Sequence, residues 1–248
     1  MKVSARPTRI LVPACAAALI GLSLWGQGLL KAQRVAAAPA MAEGAFAALG
    51  GLRSLAAEII WFRADRLQEE GRYVELAQLA QALTLMEPHT PEVWSYAAWN
   101  LAYNVSVMMA TDEDRWRWVQ AGLRLLRDQG IAFNPRDGEL YRELAWMFEL
   151  KLGAHIDTSA PYYRKKWAEI VNDVKVRGAW DELGMDPMHM MTVEKETGCD
   201  DWTDPQLSAI YWASKGYDCA SEGDKAMLLE ILRQARVIYS KNHPNLVK

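Results

Sequence analysis

The chain has 248 residues, 51% hydrophobic and 24% charged, which supplies a sizeable core and excludes a disordered, collagen-like or disulfide-scaffold protein. Lys and Arg number 28 against 31 Asp and Glu; residues 1–34 hold five cations and no acid, so the body is more acidic than the net charge of −3 suggests. Binding to phosphate backbones requires clustered cations, so no nucleic-acid partner is expected.

The first element is an apolar run, Ile10 to Leu30, whose only polar side chains are Ser23 and Gln27. At 1.5 Å per residue it reaches across roughly 30 Å of hydrocarbon. It is read as an uncleaved transmembrane anchor within residues 1–34. The alternative, a cleaved signal peptide, has Ala36, Ala38 and Ala40 as small-residue sites, but Lys31 and Arg34 lie before them. Lys2, Arg6, Arg9 and the amino terminus outweigh the two cations beyond the run, which predicts a cytoplasmic N-terminus, a single pass through the inner (cytoplasmic) membrane and a periplasmic or extracytoplasmic body. Residues 35–57 read as a linker and entry helix.

From residue 58 onward the period is helical. Tyr73, Leu76, Ala77, Ala80 and Leu83 make one face; Trp94, Ala97, Ala98, Leu101 and Val105 make another; Tyr141, Leu144, Ala145, Phe148 and Leu152 make a third. Gly71, Pro88, Gly130, Pro135, Gly153 and Pro161 punctuate them. No stretch alternates convincingly as a strand, so the fold class is all-α. A final helix pair is predicted over Gln206 to Tyr217 and Asp224 to Lys241, after an inserted segment; the expected division is 58–170 for repeats and 171–248 for the insertion and the capping helices.

Pro88, Trp94, Ala98, Trp99 and Leu101 are matched 47 residues later by Pro135, Tyr141, Ala145, Trp146 and Phe148. In these residues the chain resembles the tetratricopeptide-repeat superfamily, whose helix A carries a bulky aromatic, a small residue four positions on and another bulky residue three beyond. Gly71, Arg72 and Tyr73 through Leu76 and Leu83 to Pro88 resemble its turn, helix B and closing proline. The period departs from the family's 34 residues, and the 13 extra are expected around Asn104 to Arg115. The resemblance implies a short solenoid of helical hairpins with a concave face lined by the A helices.

No phosphate-cradling loop, nucleophile elbow or dinucleotide fingerprint occurs, and His89, His155, His189 and His243 never pair at metal-ligand spacing. Met185, Met188, His189, Met190 and Met191 are soft ligands, yet they read better as core plugs. Asp200, Asp201 and Asp204 read as an acidic helix start rather than a calcium loop. No catalytic residue, cofactor or metal is therefore expected. Cys199 and Cys219 suit one disulfide in an oxidising compartment, or two free thiols.

The remaining signal is eleven Trp against four Phe. By the resemblance, residues one beyond the small position face the groove, which implies Trp99 and Trp146 with Ser95, Tyr103, Arg142 and Glu149 nearby, extended by Trp61 and Asp65. An aromatic surface edged by polar groups suits a protein or peptide partner. The expectation is a membrane-anchored scaffold, an assembly factor or subunit of a bacterial envelope complex. A receptor for a carbohydrate or cell-wall ligand is the alternative, because sugars also stack on indole.

Overall fold

Residues 52–154 and 157–242 are described in a computed structural model, and every regular element among them is helical. The first hairpin pairs α1 (Leu52–Glu69) with α2 (Tyr73–Met86). Gly71 turns the chain between them at φ 68°, a left-handed conformation that glycine adopts without steric cost. Pro91–Trp99, Asn100–Val105 and Ser106–Met108 run on as one helix, α3; Asp112–Arg124, Leu125–Gly130 and Ile131–Phe133 likewise make α4. α5 joins Gly138–Trp146 to Met147–Gly153, and α6 is Ala160–Arg177. A short 3-10 turn, Trp180–Leu183, leads to α7 (Pro187–Thr197), and α8 (Pro205–Cys219) pairs with α9 (Glu222–Asn242).

Local chemistry explains where these helices begin. Asp186 and Asp204 each accept a bond from the backbone N–H two residues on, ahead of a proline in the first helical turn. Thr111 and Asp137 accept from the N–H groups of Asp114 and Leu140. Each supplies a partner for a donor that the first turn leaves open.

The 47-residue correspondence holds in burial at six paired positions. Val93 and Leu140, Trp94 and Tyr141, Ala97 and Leu144, Ala98 and Ala145, Leu101 and Phe148, and Val105 and Leu152 are all 3% exposed or less. Trp94 Nε1 donates to Pro88 O at 2.8 Å, and Tyr141 Oη donates to Pro135 O at 3.1 Å, across the same six residues of chain. Both helices also widen into π geometry at the same place, Asn100–Val105 and Met147–Gly153. In the first, the Ser106 N–H reaches back five residues to Leu101 O, and Ser106 Oγ donates to Ala102 O at 2.5 Å, supplying a donor where the widened ladder shifts partners.

The extra residues are distributed differently from the expectation. Only Met109 to Thr111 separate α3 from α4, so the longer period lies in longer, π-widened helices along the whole unit rather than around Asn104 to Arg115. The expected boundaries at 57 and 170 fall inside α1 and α6. The apolar run at 10–30 and the linker at 35–51 lie outside the described residues, among which no helix is long and apolar enough to cross a membrane.

Glycines set the closest approaches. A Cβ at Gly122 would fall 2.7 Å from Ala98 O, so α4 lies directly against the small position of α3. A Cβ at Gly216 would fall 2.4 Å from Tyr141 Cβ, and one at Gly138 would fall 2.4 Å from Asp224 Cβ. The α8–α9 pair therefore lies against α5 as the last hairpin among the described residues. The segment between α6 and α8 is tied down by Trp202, buried, whose carbonyl accepts from Trp167 Nε1 at 3.2 Å.

Candidate functional site

The residues expected to line the groove sort into three local groups. Trp61 on α1 is half-buried, tilted against Tyr96 of α3 with ring centroids 5.2 Å apart. Tyr96 donates to Gln68 Oε1 at 2.9 Å; burial and the neighbouring charge of exposed Asp65 raise its pKa. Tyr96 was not among the expected residues, although it joins Trp61 to α3; it lies two residues past Trp94 and three before Trp99.

On α3, Trp99 is 47% exposed and stacks on Tyr103 one turn later, with centroids 5.4 Å apart and planes at 22°. Lys151 Nζ also lies over the Tyr103 ring, 5.0 Å from its centroid. Burial, then the charge of Glu143, holds the Tyr103 phenol well above its usual pKa. On α5, the Arg142 guanidinium lies over the half-buried Trp146 ring at 4.7 Å and pairs with Glu143 at 2.6 Å. The two indoles thus occupy positions 47 residues apart in the chain, each with one face engaged by a neighbour on its own helix. Ser95 Oγ and Arg142 Nε, at the same offset, are buried and lack a hydrogen-bond partner among the described residues.

Glu149 does not belong to this surface. It is 3% exposed, its Oε2 has no hydrogen-bond partner among the described residues, and its backbone carbonyl accepts from Gln206 Nε2 of α8 at 3.2 Å. The reason is legible in the period: 47 residues earlier stands Ala102, fully buried, so the position faces the core in both helices. Burial alone raises the Glu149 pKa above 4.5. A carboxyl whose folded pKa is raised favours the fold below its unfolded value, and that contribution is lost as pH rises through the folded value. Glu149→Met, which keeps the length and removes the acid, is therefore expected to unfold at higher denaturant than the parent at pH 7. The advantage should fade as the medium approaches pH 4; a variant equally destabilised at both pH values would contradict this assignment.

The Cys199–Cys219 bridge is not formed. Both thiols are free; Cys219 is the last residue of α8, against Tyr141, whereas Cys199 precedes the start of α8 and lies against Tyr239. The length of α8 separates them, about 20 Å at 1.5 Å per residue and far beyond the span of a disulfide.

The methionine cluster divides between core and solvent. Met185 and Met190 are buried, Met188 and Met191 exposed, so the thioethers do not converge. Beside them, Trp180, Met190, Met191 and Trp202 with Lys175 and Glu194 line a shallow cleft of about 260 Å³. Trp202 Nε1 donates to Glu194 Oε1 at 2.7 Å across its wall.

Beside Tyr103 lies a buried ionic cluster that the sequence does not signal. Lys151 Nζ pairs with Asp157 Oδ2 at 2.6 Å, with both side chains under 10% exposed. The Ser159 N–H donates to Asp157 Oδ1 at 2.9 Å, Tyr163 Oη donates to Oδ2 at 3.3 Å, and Arg115 Nη1 stands 3.9 Å away. Ser159 Oγ in turn donates to Asp112 at 2.6 Å, linking the starts of α4 and α6. Burial works to raise the Asp157 pKa, but Lys151 and these donors hold it below its ordinary value; burial lowers that of Lys151. Set against protein-family models, curated proteins and solved structures, the chain matches none.

Proposed function

We propose that this chain is a diverged tetratricopeptide-like scaffold that binds a protein segment across the surface carrying Trp99 and Trp146. In this reading residues 10–30 anchor it in the inner membrane with the helical body on the periplasmic side, as an assembly factor or subunit of an envelope complex. One observation carries the reading: Trp99 is 47% exposed while the flanking Ala98 and Asn100 are buried. A large indole left half in water on an ordered helix adds nothing to the core by its exposed face and offers apolar area and one donor to a partner.

The test pairs capture with stability. The full chain with a photocrosslinking side chain at position 103 is irradiated in native membranes to identify the partner, and that partner is then titrated against the parent, Trp99→Ala and Trp146→Ala. Truncating an interface anchor should weaken binding by about 2 kcal/mol, roughly thirtyfold. Because Trp99 is half exposed, Trp99→Ala should melt close to the parent. Undiminished affinity in a well-folded Trp99→Ala protein would show that the partner binds elsewhere. Saturable quenching of tryptophan emission by soluble glycans, without any crosslinked protein, would favour the carbohydrate reading instead.

A further inference from the structure

The apolar residues of α1 fall on two opposite faces. Ala64 and Leu67 are buried in a cluster with Leu76 of α2, and Ala57 is buried on the same side of α1, whereas Leu55, Ile59 and Phe62 are 54%, 61% and 77% exposed. The three recur at i, i+4 and i+7, so they form one stripe on the outer face of the helix. Its extent is informative. Continuing along the same face, the next positions are Arg66, Glu69 and Glu70, all exposed, with Arg66 paired to Glu70 at 3.0 Å. The stripe therefore occupies only the N-terminal half of α1, the half from which the chain runs back toward the apolar residues 10–30, with exposed Arg63 beside it.

We infer that this stripe docks on the surface of the lipid bilayer, with Leu55, Ile59 and Phe62 dipped into the boundary between headgroups and acyl chains and the charged C-terminal half of α1 left in water. The inference rests on the membrane-anchor reading of residues 10–30. Three side chains on one helix fall short of the roughly 800 Å² per partner that a stable dimer buries, which argues against a second copy. A bilayer contact has no such requirement once the chain is tethered. The 25 residue steps from Leu30 to Leu55 keep the stripe within about 90 Å of the span in any conformation, so a weak apolar contact forms at high effective concentration. Interfacial helices seat their apolar face in this way and keep cationic residues at the headgroups, where Arg63 stands.

The experiment uses the full chain reconstituted in nanodiscs of zwitterionic and anionic phospholipid. Phe62→p-benzoylphenylalanine and, separately, Ile59→p-benzoylphenylalanine are irradiated, with Glu69→p-benzoylphenylalanine as control, and the adducts are weighed. Lipid-mass adducts at positions 59 and 62, several-fold above those at position 69, are expected. Adducts of twice the chain mass, adducts within the chain, or lipid labelling no stronger than at position 69 would overturn the docking. Alkaline extraction, read on the same preparations with intact-mass measurement of the chain, tests the anchor separately. Release of the chain by alkali overturns the anchor and the docking together, whereas retention without lipid adducts overturns the docking alone.

Discussion

Replacing Trp94 by Ala is expected to lower unfolding free energy by about 3–5 kcal/mol, near the upper end for a single core truncation. The indole is 1% exposed, its Cβ sits beside Gly130, and its ring stacks on Phe133 with centroids 5.6 Å apart and planes at 17°. Removing it leaves a hole between α3 and the end of α4 that close-packed neighbours refill only in part. The hydrogen bond to Pro88 O matters less, because Asn134 Nδ2 donates to the same carbonyl at 2.9 Å and keeps it satisfied. Trp94→Phe should consequently cost only about 1–2 kcal/mol, from the smaller ring and one of two donors lost. Urea denaturation of both variants separates volume from hydrogen bonding. Equal losses in the two would mean that the hydrogen bond, and not the packing, holds this corner.

This corner also shows how far the sequence could be read. The offset of 47 paired Trp94 with Tyr141 and Ala98 with Ala145 before any coordinates, because core positions repeat wherever helices pack in the same way, and the buried faces and the two bonds to Pro88 O and Pro135 O follow that register. The π-widened turns left no trace in composition. Each widened turn adds a residue without introducing Gly or Pro, so spacing alone does not show that the added length is spread along the helices. Glu149 was misread because a carboxylate suggests a surface, yet its partner at the same offset is buried Ala102. Local position outweighed residue type there. Of the two readings of the cysteines, the free thiols are the one seen, and spacing alone does not choose between them. An even count says nothing about the length of helix that lies between the two thiols. Trp99 and Trp146 were legible as positions at that offset, but not the partners that cover them, since the Tyr103 stack and the Arg142 contact depend on rotamers that spacing alone does not determine.

Asp157→Asn is expected to be as damaging as the loss of Trp94, for a different reason. The change is isosteric, but it leaves the Lys151 ammonium, 4% exposed, facing a neutral amide in a site with little water. Breaking a buried pair from one side typically costs about 3–5 kcal/mol, since the remaining charge keeps its desolvation penalty and loses its compensation. The rings of Tyr103 and Tyr163, 5.0 and 5.9 Å from Lys151 Nζ, offset a fraction of this. Acid should narrow the gap. Asp157 has a lowered folded pKa, so its contribution is present above its ordinary value of 3.8 and is lost as pH falls below it, in the parent alone. Base should narrow the gap as well. Lys151 already has a lowered pKa, and without Asp157 it loses the hydrogen bond that most favours its charged form, so the unfolded variant binds more protons than the folded one over a wider range below 10.5. The variant's stability should therefore climb with pH through that range more steeply than the parent's. Lys151→Met in the Asp157→Asn background removes the stranded charge and should recover part of the loss at neutral pH. If Asp157→Asn alone melts like the parent at pH 7, or if Lys151→Met deepens the loss, then the ammonium is solvated or held by other groups, and the ionic cluster beside Tyr103 does not fix the joint between α5 and α6.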